Sequence, residues 1–440
     1  MGGHPRGLFV LAATELAERF SYYGMTSLLA LYMTKQLLLP EHASDVIGLS
    51  TLRSMMEWRG PMSNVAFASL IYGWYGGLVY FTPIVGGMIA DRVLGAKRTV
   101  MLGALLMAGG HIAMSFDASF LGALLLLILG SGLLKGNISA QVGTLYAPDA
   151  EGQRVRGFTI FSTGINIGAV LGPLATGGVA ALYGWHAGFA LAAGVMFVAL
   201  AVYLSGQRFL PDQRPAGTER EHSTPLTGEE RARSWALVGL IGLTILPNIA
   251  YTMIWSVGII WVDERVALGT PFGPLPASWF TSIDAFASIA VVPVLLALWA
   301  ALGRRGREPA SMAKFGIGAA IVGISALLLA VGEMIAGPDS RVAVGWAVAG
   351  YFGMGTAFMW YWPTLLAVIS QSAPPKLNAT LVSATYLSFF AGITIMGWVG
   401  SFYSEMSKVA FWLIDAAIGF AGALIVWLIH RPLSRRLGGG

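Results

Sequence analysis

The sequence predicts an all-α membrane protein built from two six-helix bundles, and three observations lead to this prediction. Charged residues are only 11% of the 440 residues, and apolar residues are 56%, whereas soluble domains carry roughly 25% charge. Twelve mostly apolar segments are each long enough to cross a bilayer, which takes about 20 residues. A single long polar segment divides these twelve segments into two sets of six.

The predicted spans are 8–33, 64–90, 99–116, 120–146, 157–182, 185–205, 235–262, 277–302, 313–336, 342–371, 379–403 and 409–430. The polar segment 207–234 contains three prolines among ten charged residues, which is typical of a solvated linker. We therefore expect an N-terminal bundle over 1–206 and a C-terminal bundle over 235–440. The loop 34–63 is long enough to carry a short helix.

The positive charges predict the orientation of the chain. If the N-terminus is cytoplasmic, 19 of the 27 Lys and Arg residues lie in cytoplasmic segments and 6 lie in external loops. Cytoplasmic loops of membrane proteins carry an excess of these residues. We therefore expect an inner-membrane protein with both termini in the cytoplasm.

Several classes of function are disfavoured by the composition. The chain has no cysteine, which excludes disulfides, thiolate metal sites and cysteine nucleophiles. Its net charge of +5 comes from arginines in short loops, so it does not indicate nucleic-acid binding. No nucleophile triad, metal-ligand set or phosphate loop is recognisable, and the six histidines are scattered. We expect no enzyme activity, no metal, no cofactor and no nucleic-acid partner; the expected partner is the lipid bilayer, and the expected state is a monomer.

The first span carries an unusual concentration of ionisable residues. Glu15, Glu18, Arg19, Tyr22 and Tyr23 follow the i, i+3, i+4, i+7, i+8 spacing of one helix face. Such a face is costly in lipid, so it must meet a wet cavity or other polar groups. A functional site is the favoured interpretation, and an ion-pair cluster that pins the helix is the alternative.

The fourth span contains Lys135 at a depth where only Arg19 offers another positive charge. A buried lysine needs a counter-charge, which a substrate carboxylate or the first-span glutamates could supply. Snorkelling to the interface is the alternative. Gly132 and Gly136 have the four-residue spacing of a close helix-packing face.

The fifth span repeats this spacing with Gly164, Gly168 and Gly172. The pattern predicts another face on which a neighbouring helix packs closely. Asn166 lies within this stripe. A contact to substrate and a hydrogen bond between helices are equally compatible with its position.

The loop after the second span contains Gly87, Asp91, Arg92 and Gly95. The carboxylate of Asp91 could hold the end of a neighbouring helix. A gate that breaks and re-forms is the functional interpretation of this motif, and a static clasp of the loop is the alternative.

Embedded charges are fewer in the second half. Asp284 lies in the eighth span, where it could receive a substrate amine or a proton, or form a neutral hydrogen-bonded acid. For Asp415 in the twelfth span we expect a local hydrogen bond, and for Glu333 a position at the interface. The aromatic side chain of Trp362 could line a cavity or belong to the packing.

The layout of two six-helix bundles and a cytoplasmic linker is that of the major facilitator fold, by analogy at the level of the fold. Several motifs also resemble those of the proton-dependent oligopeptide transporters, a branch of that superfamily. The resemblance rests on segments 3–7, 15–24, 87–95, 158–161 and 165–168, together with Lys135. It is dense through residue 190 and thins afterwards.

This resemblance implies proton-driven uptake of di- and tripeptides at a site between two rocking halves. It implies that Arg19 and Lys135 hold the peptide carboxylate and that Glu15 and Glu18 take part in proton coupling. The side chains implied around the peptide backbone are Tyr23, Tyr80 and Asn166. The coupling ion would be the proton.

The sequence departs from the family where a peptide amine is usually bound. Ile259 and Phe358 stand where the family has glutamates in the seventh and tenth helices, and Thr26 stands where an arginine is common. Asp284 replaces a usual asparagine, so it is the remaining candidate anion, with Phe358 and Trp362 as further contacts. The alternative solute is a modified peptide or another carboxylate, for whose blocked end Phe358 and Ile259 would form an apolar pocket.

Overall fold

A computed structural model describes residues 3–58, 60–147, 150–211 and 226–436 of the chain. The described chain is almost entirely helical and has the major facilitator fold with twelve transmembrane helices, as predicted. It forms two compact units. The first unit is Met1–Ala68 with Leu78–Glu219, and the second is Ser69–Gly77 with Arg220–Gly440.

The helices of the first six spans are α1 (Arg6–Tyr32), α2 (Pro40–Ala43), α3 (Leu49–Met56), α4 (Asn64–Ile89), α5 (Ala96–Ala113), α6 (Phe120–Thr144), α7 (Glu151–Tyr183) and α8 (Trp185–Gly206). They belong to the first unit, apart from Ser69–Gly77 of α4, which belongs to the second. Helices α2 and α3 lie in the long loop for which a short helix was expected. The fifth span begins at Glu151, earlier than the predicted residue 157.

The second unit contains the remaining helices and one small hairpin. They are α9 (Gly228–Leu243), α10 (Ile245–Met253), α11 (Val257–Arg265), β1 (Gly269–Thr270), β2 (Gly273–Pro274), α12 (Phe280–Gly303), α13 (Ser311–Ala336), α14 (Val344–Ser372), α15 (Asn378–Gly400) and α16 (Lys408–Arg436). The strands pair antiparallel, with Thr270 opposite Gly273. This hairpin is a small exception to the all-α prediction.

Apolar composition explains most of these helices. Among the described residues, ten long helical segments are apolar enough to span a membrane, and α9, α10 and α11 together make up one of them, Gly228–Arg265 (38 residues). Two further helices, the charged α1 and the 18-residue α5, complete the twelve.

The predicted linker is partly helical, which corrects its boundary. Helix α9 begins at Gly228 because Thr227 and Glu230 form a capping box before it. The Glu230 N–H donates to Thr227 Oγ1 at 3.1 Å, and the Thr227 N–H donates to Glu230 Oε2 at 2.8 Å. These two bonds satisfy free N–H groups at the helix start. Residues 212–225 of the predicted linker lie outside the described residues.

The predicted seventh span is interrupted, which the sequence analysis missed. Helix α10 ends at Met253 and α11 begins at Val257. The interruption leaves the carbonyl of Ile254 without its helical partner, and the Tyr351 hydroxyl donates to it at 2.9 Å. A backbone group freed within a membrane segment needs such a partner, because lipid supplies none.

Glycines set the closest helix contacts in both units. A Cβ atom at Gly168 of α7 would lie 2.6 Å from the carbonyl oxygen of Leu16 in α1, and one at Gly172 would lie 2.4 Å from that of Phe20. In the second unit, a Cβ at Gly419 of α16 would lie 2.6 Å from the backbone N of Gly323 in α13. Small residues therefore bring these helix backbones together, as is common in membrane proteins.

Candidate functional site

The ionisable face of α1 is buried inside the first unit. Glu15, Glu18 and Arg19 are each at most 5% exposed. Arg19 Nε lies 2.9 Å from Glu15 Oε1 and 2.5 Å from Glu18 Oε2. The α-helical spacing predicted this shared face correctly.

The contacts between Arg19 and Glu18 leave several of their polar atoms without a hydrogen bond within the described residues. The Nε and Nη2 atoms of Arg19 and both carboxylate oxygens of Glu18 lack an aligned hydrogen bond within the described residues. The short distances are therefore charge contacts rather than complete hydrogen bonds. Buried polar atoms of this kind are unusual in folded proteins, so the charge contacts of this cluster do not satisfy all of its polar groups.

Lys135 approaches the same face from α6. Its Nζ atom lies 4.6 Å from the ring centroid of Tyr22 in α1 and 4.5 Å from that of Tyr80 in α4. The guanidinium carbon of Arg19 lies 5.6 Å from the Tyr22 ring centroid. Both cations therefore contact Tyr22, in the geometry of cation–π interactions. Lys135 is half-buried, and its position at the face excludes snorkelling to the interface.

The glycine stripe of α7 fixes the position of Arg19. A Cβ at Gly168 would lie 2.8 Å from Arg19 Cβ, and one at Gly164 would lie 2.9 Å from the carbonyl oxygen of Ala12. The predicted packing face of the fifth span is thus confirmed, and its partner is α1. The stripe of the fourth span is only half confirmed: Gly132 lies tightly against Thr82, while a Cβ at Gly136 would have an ordinary contact at 3.9 Å.

The other predicted residues of the first unit are less constrained. Tyr23 is half-buried, with its ring 5.3 Å from that of Tyr22. Asn166 is exposed on α7, and its side chain forms no hydrogen bond within the described residues. A hydrogen bond between helices is formed by Asn137 of α6, whose Nδ2 donates to the Gly86 carbonyl of α4 at 3.2 Å. Asn166 therefore keeps its amide free for another contact.

The gate motif lies where α4 ends. Gly95 has a φ of 75°, a conformation that favours glycine, and its N–H donates to the Ala90 carbonyl at 2.9 Å. Asp91 and Arg92 are exposed, and neither forms an ion pair in the part of the chain that the structure describes. A Cβ at Gly87 would meet nothing within 4 Å. The gate role of this motif stays a prediction.

Asp284 is the buried anion of the second unit. It is 5% exposed, and its Oδ2 atom accepts hydrogen bonds from the Tyr251 hydroxyl at 3.2 Å and from Trp255 Nε1 at 3.1 Å. Its position is fixed by the crossing of α12 and α14, because a Cβ at Gly355 would lie 2.2 Å from the Asp284 carbonyl oxygen. Tyr251 and Trp255 were not predicted as site residues, although their four-residue spacing would place both on one face of a continuous helix.

An aromatic stack extends from these donors. The Phe358 ring stacks on Tyr251 at 5.1 Å and on Trp362 at 5.8 Å, with interplanar angles of 12° and 15°. Phe389 contacts the edge of Trp362 at 4.7 Å. Ile259 is fully buried in α11, and Phe358 belongs to the ring stack. The apolar pocket expected of these two residues stays a prediction.

Two further acids are buried in the second unit. The local hydrogen bond expected of Asp415 is wrong, because neither of its carboxylate oxygens has a hydrogen-bond partner among the described residues. Glu333 lies in the last turn of α13, which agrees with a position near the interface, but it is 3% exposed and pairs with Arg265 Nε at 3.0 Å. Trp261 Nε1 also donates to Glu333 Oε1 at 2.5 Å. The charge of Arg265, distant in sequence, explains why Glu333 can be buried.

No metal or catalytic centre emerges from these clusters. Over the described ranges, no three His, Asp or Glu residues are grouped to hold a metal ion. The chemistry available is the binding of an anion by Arg19 and Lys135 and the binding of protons by buried carboxylates.

A major facilitator fold with cationic side chains facing inward from α1 and α6 is that of a secondary transporter. The sequence profile of the POT family matches residues 97–225 and 218–414, and the chain belongs to that family. It is a multi-pass membrane transporter and not an enzyme.

Named relatives agree with this membership. A di-/tripeptide transporter of Lactococcus lactis is 29% identical, over 99% of this chain and 97% of the relative. A peptide transporter of Yersinia enterocolitica is 25% identical, over 97% of this chain and 94% of the relative.

Solved structures agree as well. A mutant of the peptide transporter POT in complex with alafosfalin has a TM-score of 0.87 and 28% identity, over 99% of this chain and 96% of that one. A POT family transporter in complex with 5-aminolevulinic acid has a TM-score of 0.85 and 25% identity, over 99% of this chain and 98% of that one.

Proposed function

We propose that this transporter is a proton-coupled symporter that imports di- and tripeptides or similar solutes across the inner membrane. The observation that carries the proposal is the buried cluster of Glu15, Glu18, Arg19 and Lys135 in the first unit. The names of its relatives support peptides as the solute class.

The charges of this cluster favour coupling to protons. Two cations and two ionised carboxylates are neutral together, so a bound substrate carboxylate would leave one uncompensated negative charge. A buried uncompensated charge is costly. Protonation of Glu15 or Glu18 removes that charge, so binding of an anionic group and uptake of a proton favour each other.

The side chains of the site have different proposed roles, which follow from their chemistry. Arg19 offers a planar fork that suits a carboxylate, and Lys135 offers a point charge that contacts the rings of Tyr22 and Tyr80. Tyr23, Tyr80 and the free amide of Asn166 would contact the peptide backbone. Gly87, Asp91, Arg92 and Gly95 would act as a gate at the cytoplasmic end of α4.

The distribution of Lys and Arg supports an orientation with both termini in the cytoplasm. We propose that the protein acts as a monomer in the lipid bilayer and uses the proton as its coupling ion, with no other cofactor.

A second candidate function is transport of a carboxylate that lacks a free peptide amine. It is favoured by the stack of Tyr251, Phe358 and Trp362, which places an aromatic ring where the resembling family has a glutamate. A related transporter was solved with 5-aminolevulinic acid, which indicates that this fold accepts solutes other than peptides.

A ligand panel on purified protein tests the proposal. Thermal unfolding should be measured with matched free, N-acylated and C-amidated dipeptides, because a ligand of the folded state raises the unfolding temperature. Stabilisation by free dipeptides and not by amidated ones supports the peptide assignment. Equal stabilisation by N-acylated ligands favours the second candidate, and indifference to the carboxylate would overturn both.

A further inference from the structure

Asp284 has an asymmetric environment that the proposed function does not yet use. Its Oδ2 atom accepts two hydrogen bonds, from Tyr251 and Trp255. Its Oδ1 atom is buried and has no hydrogen-bond partner within the described residues. No cationic side chain of those residues forms an ion pair with it, so the carboxylate has no counter-charge there.

The elements packed around this turn of α12 supply no compensating charge. Helix α14 contains no Asp, Glu, Lys, Arg or His, and contributes Tyr351, whose hydroxyl donates to the Ile254 carbonyl. The short helical turn Ala277–Trp279 before α12 has no charged residue. Helix α10 contributes Tyr251 as its titratable group, and the charges of α11 are confined to residues 263–265 at its far end.

The surroundings of Oδ1 indicate which of two ligands, a substrate ammonium or a proton, this buried carboxylate can bind. A substrate ammonium would need an accessible oxygen and room for its own substituents, whereas Oδ1 has almost no accessible surface. The stack of Tyr251 and Phe358 further limits that room. A proton needs no such space, and it removes the cost of the unpaired charge.

We propose that Asp284 is a proton-binding residue of the second unit and that it does not receive the substrate amine. The proton forms an O–H bond at Oδ1 and converts the carboxylate to a neutral acid, while Oδ2 keeps both of its donors. The proton is taken from water on the acidic side of the membrane and returned to water on the other side. This inference rests on the proposed function, because it assumes that transport is driven by protons.

Trp255 links Asp284 to the interruption of the seventh span. It lies in the interruption between α10 and α11, so its indole depends on the geometry of that interruption. Its bond to Oδ2 is stronger when Asp284 is ionised than when it is neutral, because hydrogen bonds to charged acceptors are roughly twice as strong. Protonation of Asp284 therefore weakens the tie between the interruption and α12.

The test combines transport and infrared spectroscopy on wild type and Asp284→Asn. In proteoliposomes, uptake driven by a pH gradient should be at least about tenfold slower in the variant than in wild type, whereas exchange at equal pH should be kept. Its preference between free and N-acylated ligands should stay within about twofold of wild type. In pH-difference infrared spectra, wild type should show a carboxylic-acid carbonyl band that the variant lacks.

A second pair of variants covers the case in which Asp284→Asn does not fold. Trp255→Phe removes one donor to Asp284, so the infrared band should appear at higher pH by about one unit. Trp299→Phe is the matched control, because its indole N–H has no acceptor among the described residues. The band should be unchanged in this control.

Two results would overturn the proposal. One is a variant that loses free-amine preference while its gradient-driven uptake is intact, which would make Asp284 the amine receptor. The other is a wild-type pH-difference spectrum without a band dependent on Asp284, which would mean that Asp284 does not change its protonation state. Wild-type uptake that does not depend on the pH gradient would instead refute the proposed function itself.

Discussion

Substitution of Gly168 by alanine should disturb the carboxylate site without touching any charged group. A Cβ at this position would lie 2.6 Å from the Leu16 carbonyl oxygen and 2.8 Å from both Arg19 Cβ and Phe20 N. Two of these three contacts are to backbone, which cannot rotate away. Helix α1 must therefore move from α7 by roughly 1 Å to restore ordinary van der Waals distances.

The expected magnitude follows from that displacement. Overpacking of a close contact costs about 1–3 kcal/mol of folding free energy. Because the displaced turn carries Arg19, the affinity for a free carboxylate should fall about tenfold or more, which is about 1.4 kcal/mol. Ligands with an amidated C-terminus should be affected less.

The assay is a dissociation constant for matched free and amidated dipeptides, with thermal unfolding measured on the same samples. Gly194→Ala in α8 is the matched control, because a Cβ there would meet nothing within 4 Å. The reasoning is refuted if Gly168→Ala binds free dipeptides as wild type does. It is also refuted if both glycine variants lose affinity equally.

Three further substitutions, with Glu308→Gln as a control for the third, test other sites of the protein. Glu18→Gln should abolish uptake driven by a pH gradient but spare exchange at equal pH, both measured in proteoliposomes; normal gradient-driven uptake would rule out its role. Lys135→Ala should lower the affinity for ligands with a free carboxylate about tenfold in titration calorimetry and leave the affinity for amidated analogues unchanged; an equal loss of affinity for both would make Lys135 structural. Glu333→Gln should cost about 3 kcal/mol in unfolding measurements, since it leaves the charge of Arg265 without its buried partner, whereas Glu308→Gln at an exposed pair should cost less than about 1 kcal/mol.

Local periodicity explains what the sequence could predict about the first unit. Glu15, Glu18 and Arg19 share a face because their spacing alone places them there. The glycines of α7 likewise predict close packing, since glycine has no side chain to keep a neighbouring helix away. The pairing of Lys135 with Tyr22 and Tyr80 depends on how α6 packs beside α1 and α4, which spacing within one helix cannot provide.

The second unit was harder to predict for a related reason. No proline or glycine lies at Ile254, Trp255 or Ser256, so the interruption of the seventh span has no local signal. It depends on the distant hydroxyl of Tyr351, which satisfies the freed carbonyl. The burial of Glu333 similarly depends on Arg265, and neither residue indicates the other by sequence spacing.

The central claim is that transport of a peptide is driven by protons. The most direct measurement is uptake of a labelled dipeptide into proteoliposomes of wild-type protein, with and without an inward pH gradient. Proton-driven transport predicts that the dipeptide accumulates above its external concentration only with the gradient, and that this accumulation collapses when a protonophore is added. Accumulation that is the same in both conditions, or no uptake of any dipeptide in either condition, would contradict it.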